Sequence, residues 1–174
     1  MSAQLHPDPQ SQPLLPAPLA AHAVRETPRA SAPLLLNGDA IRVVESGAID
    51  LFHVELRDGM PVRARIHLCR LGPGDALFAF PGSAQDCLLA VPLPDSVCLR
   101  LAGDAAALLA DEARAPLLMP LLARWHAQLE AALPGARFTG MAPQAAHEAL
   151  LRLLQERRRQ LLLRDEAKLR ACID

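Results

Sequence analysis

Aromatic residues are scarce: among 174 positions there is no Tyr, one Trp and four Phe. Binding of single strands by base stacking needs repeated aromatic faces, so that mode finds no support. An excess of one charge sign is also missing. Lys and Arg number 18 against 19 Asp and Glu, a net charge of −1, which argues against a basic footprint for nucleic acid. The four cysteines, Cys69, Cys87, Cys98 and Cys172, lack the close spacing of metal knuckles, and their expected state is a buried free thiol in a reducing compartment. Pro or Arg breaks every apolar run well short of the ~20 residues a membrane span requires. No charged start leads into an apolar core and cleavage site, so a soluble, cytoplasmic chain is expected. Catalytic signatures are lacking too. Ser46, Ser83 and Ser96 have no Gly-x-Ser-x-Gly context, and no phosphate-binding Gly-x-x-x-x-Gly-Lys occurs. The expectation is a non-enzyme without cofactor or metal.

What is present is 51% hydrophobic content, ample for one buried core. Residues 1–32 read as a disordered leader, because Met1 to Pro33 carries seven of the sixteen prolines and no sustained period. Residues 33–103 change to short apolar runs: Pro33 to Leu36, Ile41 to Val44, Ile49 to Leu56, Val62 to Leu71, Ala76 to Phe80, Leu88 to Val91 and Val97 to Leu101. Gly, Pro, Asn and Asp clusters separate them, a pattern of many short strands that suggests a compact β-roll. Val43-Val44, the turn Glu45-Ser46-Gly47 and the strand from Ile49 to Phe52 together read as a hairpin.

For the following strand pair, a three-residue Arg57-Asp58-Gly59 loop pairs Val54 with Val62 and Phe52 with Ala64. A two-residue Asp58-Gly59 turn would instead set Phe52 opposite Arg65, so the first register is preferred. It places Phe52, Val54 and Leu56 on the apolar face and His53, Glu55, Arg63, Arg65 and His67 on the other. His53 and His67 would then lie ~13 Å apart, too far for one ion. Arg63, Arg65 and the Gly72 to Asp75 turn could meet an anion, but an outer sheet face balanced by Asp50 and Glu55 suffices to explain them.

Residues 104–174 take a helical period. Asp104 caps a short helix through Glu112, and Pro116 opens a second with the stripe Leu118, Leu121, Leu122, Trp125 and Leu129, ended by Pro134-Gly135. A third runs from about Pro143 to Leu169. Its Leu150, Leu154, Arg157, Arg158, Leu161 and Leu162 form a candidate interaction surface, for a second copy, an anionic membrane surface or the roll itself.

VVESGAIDLF at 43–52, followed by LGPGDALFAF at 71–80, resembles the cyclic-nucleotide-binding-like roll at the front of NHLM-type (NHLP) bacteriocin-system ABC transporters. The likeness spans roughly Pro33 to Leu101. It implies a cyclic-nucleotide-binding-like β-roll with C-terminal helices, acting as a non-catalytic accessory domain that contacts cargo peptide or a partner. The partner would be a second copy or the membrane and ATPase portion of the exporter, at the cytoplasmic face of the inner membrane. Rolls that bind cyclic nucleotide resemble "Phe-Gly-Glu-Leu/Ile-Ala-Leu" followed by "Pro-Arg-Ser/Thr-Ala", whose Glu and Arg hold ribose and phosphate. Here Leu77 to Asp86 supplies neither, so a buried phosphate diester would lack compensation. Gly82, Ser83, Ala84 and Gln85 remain the candidate ligand loop of a small-molecule sensor that does not take cyclic AMP. A cupin-like metalloenzyme is a further alternative, although no His-x-His pair is present.

Overall fold

The computed structural model describes residues 14–36, 40–62, 64–79, 86–138 and 141–171. Two antiparallel sheets form a roll, and helices close over it. Strands β1 (Ala23–Glu26), β9 (Val97–Leu101), β3 (Ile41–Ser46) and β7 (Ala76–Phe78) make the first sheet in that order. The second runs β2 (Leu34–Leu35), β8 (Asp86–Pro92), β4 (Ile49–Arg57) and β5 (Met60–Pro61), with β6 (Ile66–Leu71) also paired to β4. This is the expected mainly-β roll followed by helices. Ile41, Val43, Ile49, Leu51, Leu71 and Phe78 are completely buried between the sheets.

The leader expectation is overturned for residues 14–32. Leu15 and Leu19 sit in the main core at 2% and 3% exposure, Leu19 on a short helix α1 (Ala17–Ala20), and β1 pairs with β9 from Ala23↔Leu101 to Glu26↔Cys98. Proline stops a helix from propagating but does not forbid a Pro-free edge strand, and Ala23–Glu26 fits between Pro18 and Pro28. Each buried leucine is worth about 1.5–3 kcal/mol.

The hairpin expectation at 43–52 also fails. β3 pairs with β9 and β7, while β4 pairs with β8, β5 and β6, so the turn carries the chain from one sheet to the other. The corner is held by a close approach. Gly47 has φ +75°, and a Cβ there would lie 2.7 Å from Ser96 Cα. Ser96 Oγ accepts from Ala48 N at 3.2 Å and lies 2.7 Å from the carbonyl oxygens of Ala48 and Leu93.

Arg57↔Met60 and Leu56↔Pro61 close a two-residue turn in which Asp58 and Gly59 have φ of 52° and 76°, which corrects the three-residue register. The preferred register assumed that the strand continues through Val62 and Ala64. Both are exposed there, Val62 N still donates to Glu55 O at 3.1 Å, and β6 pairs in a shifted register, at His53↔Ile66 and Phe52↔His67.

The helices follow their local signals. Asp104 Oδ1 accepts from Ala106 N at 2.7 Å and Ala107 N at 3.0 Å to start α2 (Ala105–Ala110), which ends before Glu112 because Asp111 turns to an extended backbone. Asp111 in turn accepts from Ala113 N and Arg114 N ahead of α3 (Ala115–Ala132), which has Pro116 in its first turn. Leu118, Leu122, Trp125 and Leu129 are buried, and α4 (Pro143–Ala171) returns over the roll. Leu150 and Leu154 belong to the same core cluster as the strands.

Candidate functional site

Side chains alternate along a strand, and in β4 both faces are apolar. Ile49, Leu51 and His53 turn to the main core, whereas Val54 and Leu56 join Cys87 in a smaller cluster on the opposite face. The expected assignment, with Val54 and Leu56 inward and His53 outward, is thereby reversed. On β8 the inward set is Asp86, Leu88 and Ala90, and Leu88 pairs with His53.

Two polar residues thus enter the end of the roll, and they meet. His53, 1% exposed, places Nε2 2.8 Å from Asp86 Oδ1, and Gln155 Nε2 of α4 donates to Asp86 Oδ2 at 2.8 Å. With Asp86 ionised, His53 Nε2 carries the proton and donates. One carboxylate therefore ties a central strand, the first residue of β8 and the covering helix together. A buried charge needs such partners, and here both oxygens have one.

His67 goes elsewhere. It is exposed, with Nε2 3.3 Å from Asp50 Oδ1 and its ring edge-on to Phe52 at 5.2 Å. Arg70 donates to both Asp50 oxygens, at 2.8 and 2.9 Å, and this pairing holds the Asp50 carboxyl below its ordinary value of 3.8. Arg65 stacks its guanidinium 5.7 Å from the Phe52 ring centroid. Asp75 closes its own turn, accepting from Gly72 N at 2.8 Å.

Burial pushes the Cys69 and Cys98 thiols up to about 11 and raises Cys87 as well, which keeps them protonated and poorly nucleophilic at neutral pH. Among the described residues no group of three or more His, Cys, Asp or Glu could hold a metal ion, and no helix is long and apolar enough to cross a membrane.

The sequence-predicted ligand loop, Gly82 to Gln85, lies outside the described residues, immediately before Asp86. Of the predicted interaction surface, Leu150 and Leu154 are corrected to core, at 2% and 0% exposure. Helical period marks an apolar stripe without saying what covers it, and this stripe is covered by the chain's own roll. Leu162 is exposed, while Arg157, Arg158 and Leu161 fall among α4 positions whose side chains are outside the description. The His53–Asp86–Gln155 arrangement was missed. Its signal was present in β8, where Asp86 stands two residues before the apolar Leu88 on the same face.

No protein-family model and no curated protein matches this chain. Among solved structures it is similar to the Thermus thermophilus catabolite activator protein, at 25% identity and a TM-score of 0.44, over 63% of this chain and 51% of that one. The N-terminal domain of a transcriptional regulator from Streptomyces coelicolor A3(2) gives 22% identity and 0.42, over 66% and 81%. A CooA mutant from Carboxydothermus hydrogenoformans gives 14% and 0.38, over 89% and 83%. The chain spans about half the length of the Thermus protein. With these TM-scores, the architecture is read from the strand pairing itself.

Proposed function

We propose that the chain is a non-catalytic regulatory and interaction domain on a cyclic-nucleotide-binding-like roll, one that does not take cyclic AMP or cyclic GMP. The observation that carries this reading is the Asp86 carboxylate. It follows directly on the segment where a phosphate-binding Arg would be needed, and it is committed to His53 and to Gln155 of the covering helix. An anion at this point of the chain, with no Arg or Lys between Leu77 and Asp86, opposes a phosphate diester. Titration calorimetry with cyclic AMP and cyclic GMP is expected to give no isotherm, and stoichiometric micromolar binding would overturn the reading.

The finer proposal is an accessory role beside a bacterial peptide exporter, supported by the motifs at 43–52 and 71–80. The far half of α4, with Leu162 and Leu163 exposed, is the contact surface assigned to the membrane and ATPase portion or to a second copy. A photo-crosslinking residue at position 162 in the source organism tests this. Adducts with an ABC transporter polypeptide support the exporter role, adducts with the chain itself alone support the second copy instead, and adducts only with a transcription component reject both.

A further inference from the structure

A cleft of about 340 Å³ opens where the N-terminal stretch meets the first helices, away from Asp86. Pro18 and Leu19 of α1, His22, Leu101 at the end of β9, the Ala102-Gly103 link, Leu108 of α2 and Arg114 line it. Leu19, Leu101 and Leu108 are almost fully buried and make an apolar floor. Gly103, at φ +110°, lies over Leu108, where an added Cβ would meet Leu108 Cγ at 3.6 Å, an ordinary van der Waals contact. The polar groups are cationic or neutral, and no lining residue is acidic.

The neighbouring acids are spent on the backbone. Asp104 caps α2, and Asp111 Oδ1 accepts from Ala113 N and Arg114 N. Asp111 Oδ2 forms a long ion pair with Arg114 Nε at 4.0 Å, and among the described residues the Arg114 guanidinium makes no hydrogen bond. Apart from that long ion pair, a planar fork of donors stands beside an apolar floor with its hydrogen-bonding capacity unused.

We propose that this cleft binds a small amphiphilic monocarboxylate, with the carboxylate on Arg114 and an unbranched chain of about six to ten carbons over Leu19, Leu101 and Leu108. The size suits such a ligand, and Arg114 in the lining, with no acidic residue there, favours an anionic head over a cationic one.

Sodium octanoate is the probe, titrated into the full chain by calorimetry, with backbone amide shifts mapping the site. Saturable binding is expected, with the largest shifts at Ala102, Gly103 and Leu108. Octan-1-ol and Arg114→Gln should each weaken it about tenfold or more, whereas Arg114→Lys, which keeps the charge, stays within about fivefold. Equal thermal midpoints of the variants exclude a folding defect. Absence of saturation below about 10 mM, unchanged affinity in Arg114→Gln, or shifts confined to another part of the chain would each overturn the site. None of these results bears on cyclic-nucleotide binding or on the crosslinks at position 162, so the two readings fail separately.

Discussion

Asp86 and Asp50 each sit beside a histidine, yet they do different work. Asp50 takes Arg70 and His67 from the neighbouring strand on a face open to water, with the Arg70 side chain 61% exposed. Asp86 takes His53 from a paired strand and Gln155 from a helix 69 residues further on, where His53 is 1% exposed. Solvent screens the first cluster and competes for its hydrogen bonds, so its net worth is small. Water has little access to the His53–Asp86 contact of the second, so breaking that pairing costs far more. The same chemical pair is thus a surface ornament in one place and a fastening between roll and helix in the other.

The largest test of this contrast is Asp86→Ala, which removes the acceptor of the buried His53 imidazole and of the Gln155 amide. Chemical denaturation should show a loss of about 3–5 kcal/mol, while replacing the pair by His53→Phe with Asp86→Leu recovers part of it. A loss below about 1 kcal/mol would put Asp86 in the same class as Asp50. Gln155→Ala removes one charge-assisted bond and leaves the other, so about 1.5–3 kcal/mol is expected, with faster amide exchange across α4.

Acid provides a third comparison. Burial lowers His126 and His147 below their ordinary value of 6.5, against smaller opposing effects of Glu130 and Glu148. The unfolded chain therefore binds protons first, and stability, full above pH 6.5, falls as the pH drops from there toward the folded values. His126→Phe with His147→Leu should flatten the curve between pH 7 and 5, and an unchanged slope would exclude these two groups as its cause. The depressed Asp50 behaves in another window, its contribution present above pH 3.8 and lost as the pH falls through its lower folded value. Smallest of all, Asp50→Ala should cost under about 1 kcal/mol, less still in high salt.

Local signals read well. The Asp104 cap, Pro116 in the first turn of α3 and the stripe from Leu118 to Leu129 all act through residues three or four positions apart, and each stands where the period placed it. Register was less legible. The choice at Asp58-Gly59 depended on whether Val62 and Ala64 face the core, and the shift of register between β5 and β6 changes every pairing behind it. The Asp86 site was least legible, since its partners come from residues 53 and 155 and no short window contains both.

By itself the sequence determined the period of each segment: short strands from 33 to 103, helices beyond 104, and a stretch from Leu77 to Asp86 without the Arg and Glu of a nucleotide cassette. Those properties belong to neighbouring residues, whose backbone preferences and side-chain directions need no distant partner. Only the tertiary structure decided that Val43 and Ile49 lie in different sheets, that Leu15 and Leu19 are core, that Leu150 and Leu154 face their own roll, and that Arg114 overlooks an apolar cleft. An apolar stripe lowers its free energy equally on any apolar surface of suitable shape, because the hydrophobic effect has no direction. Which surface it meets is settled when the whole chain closes.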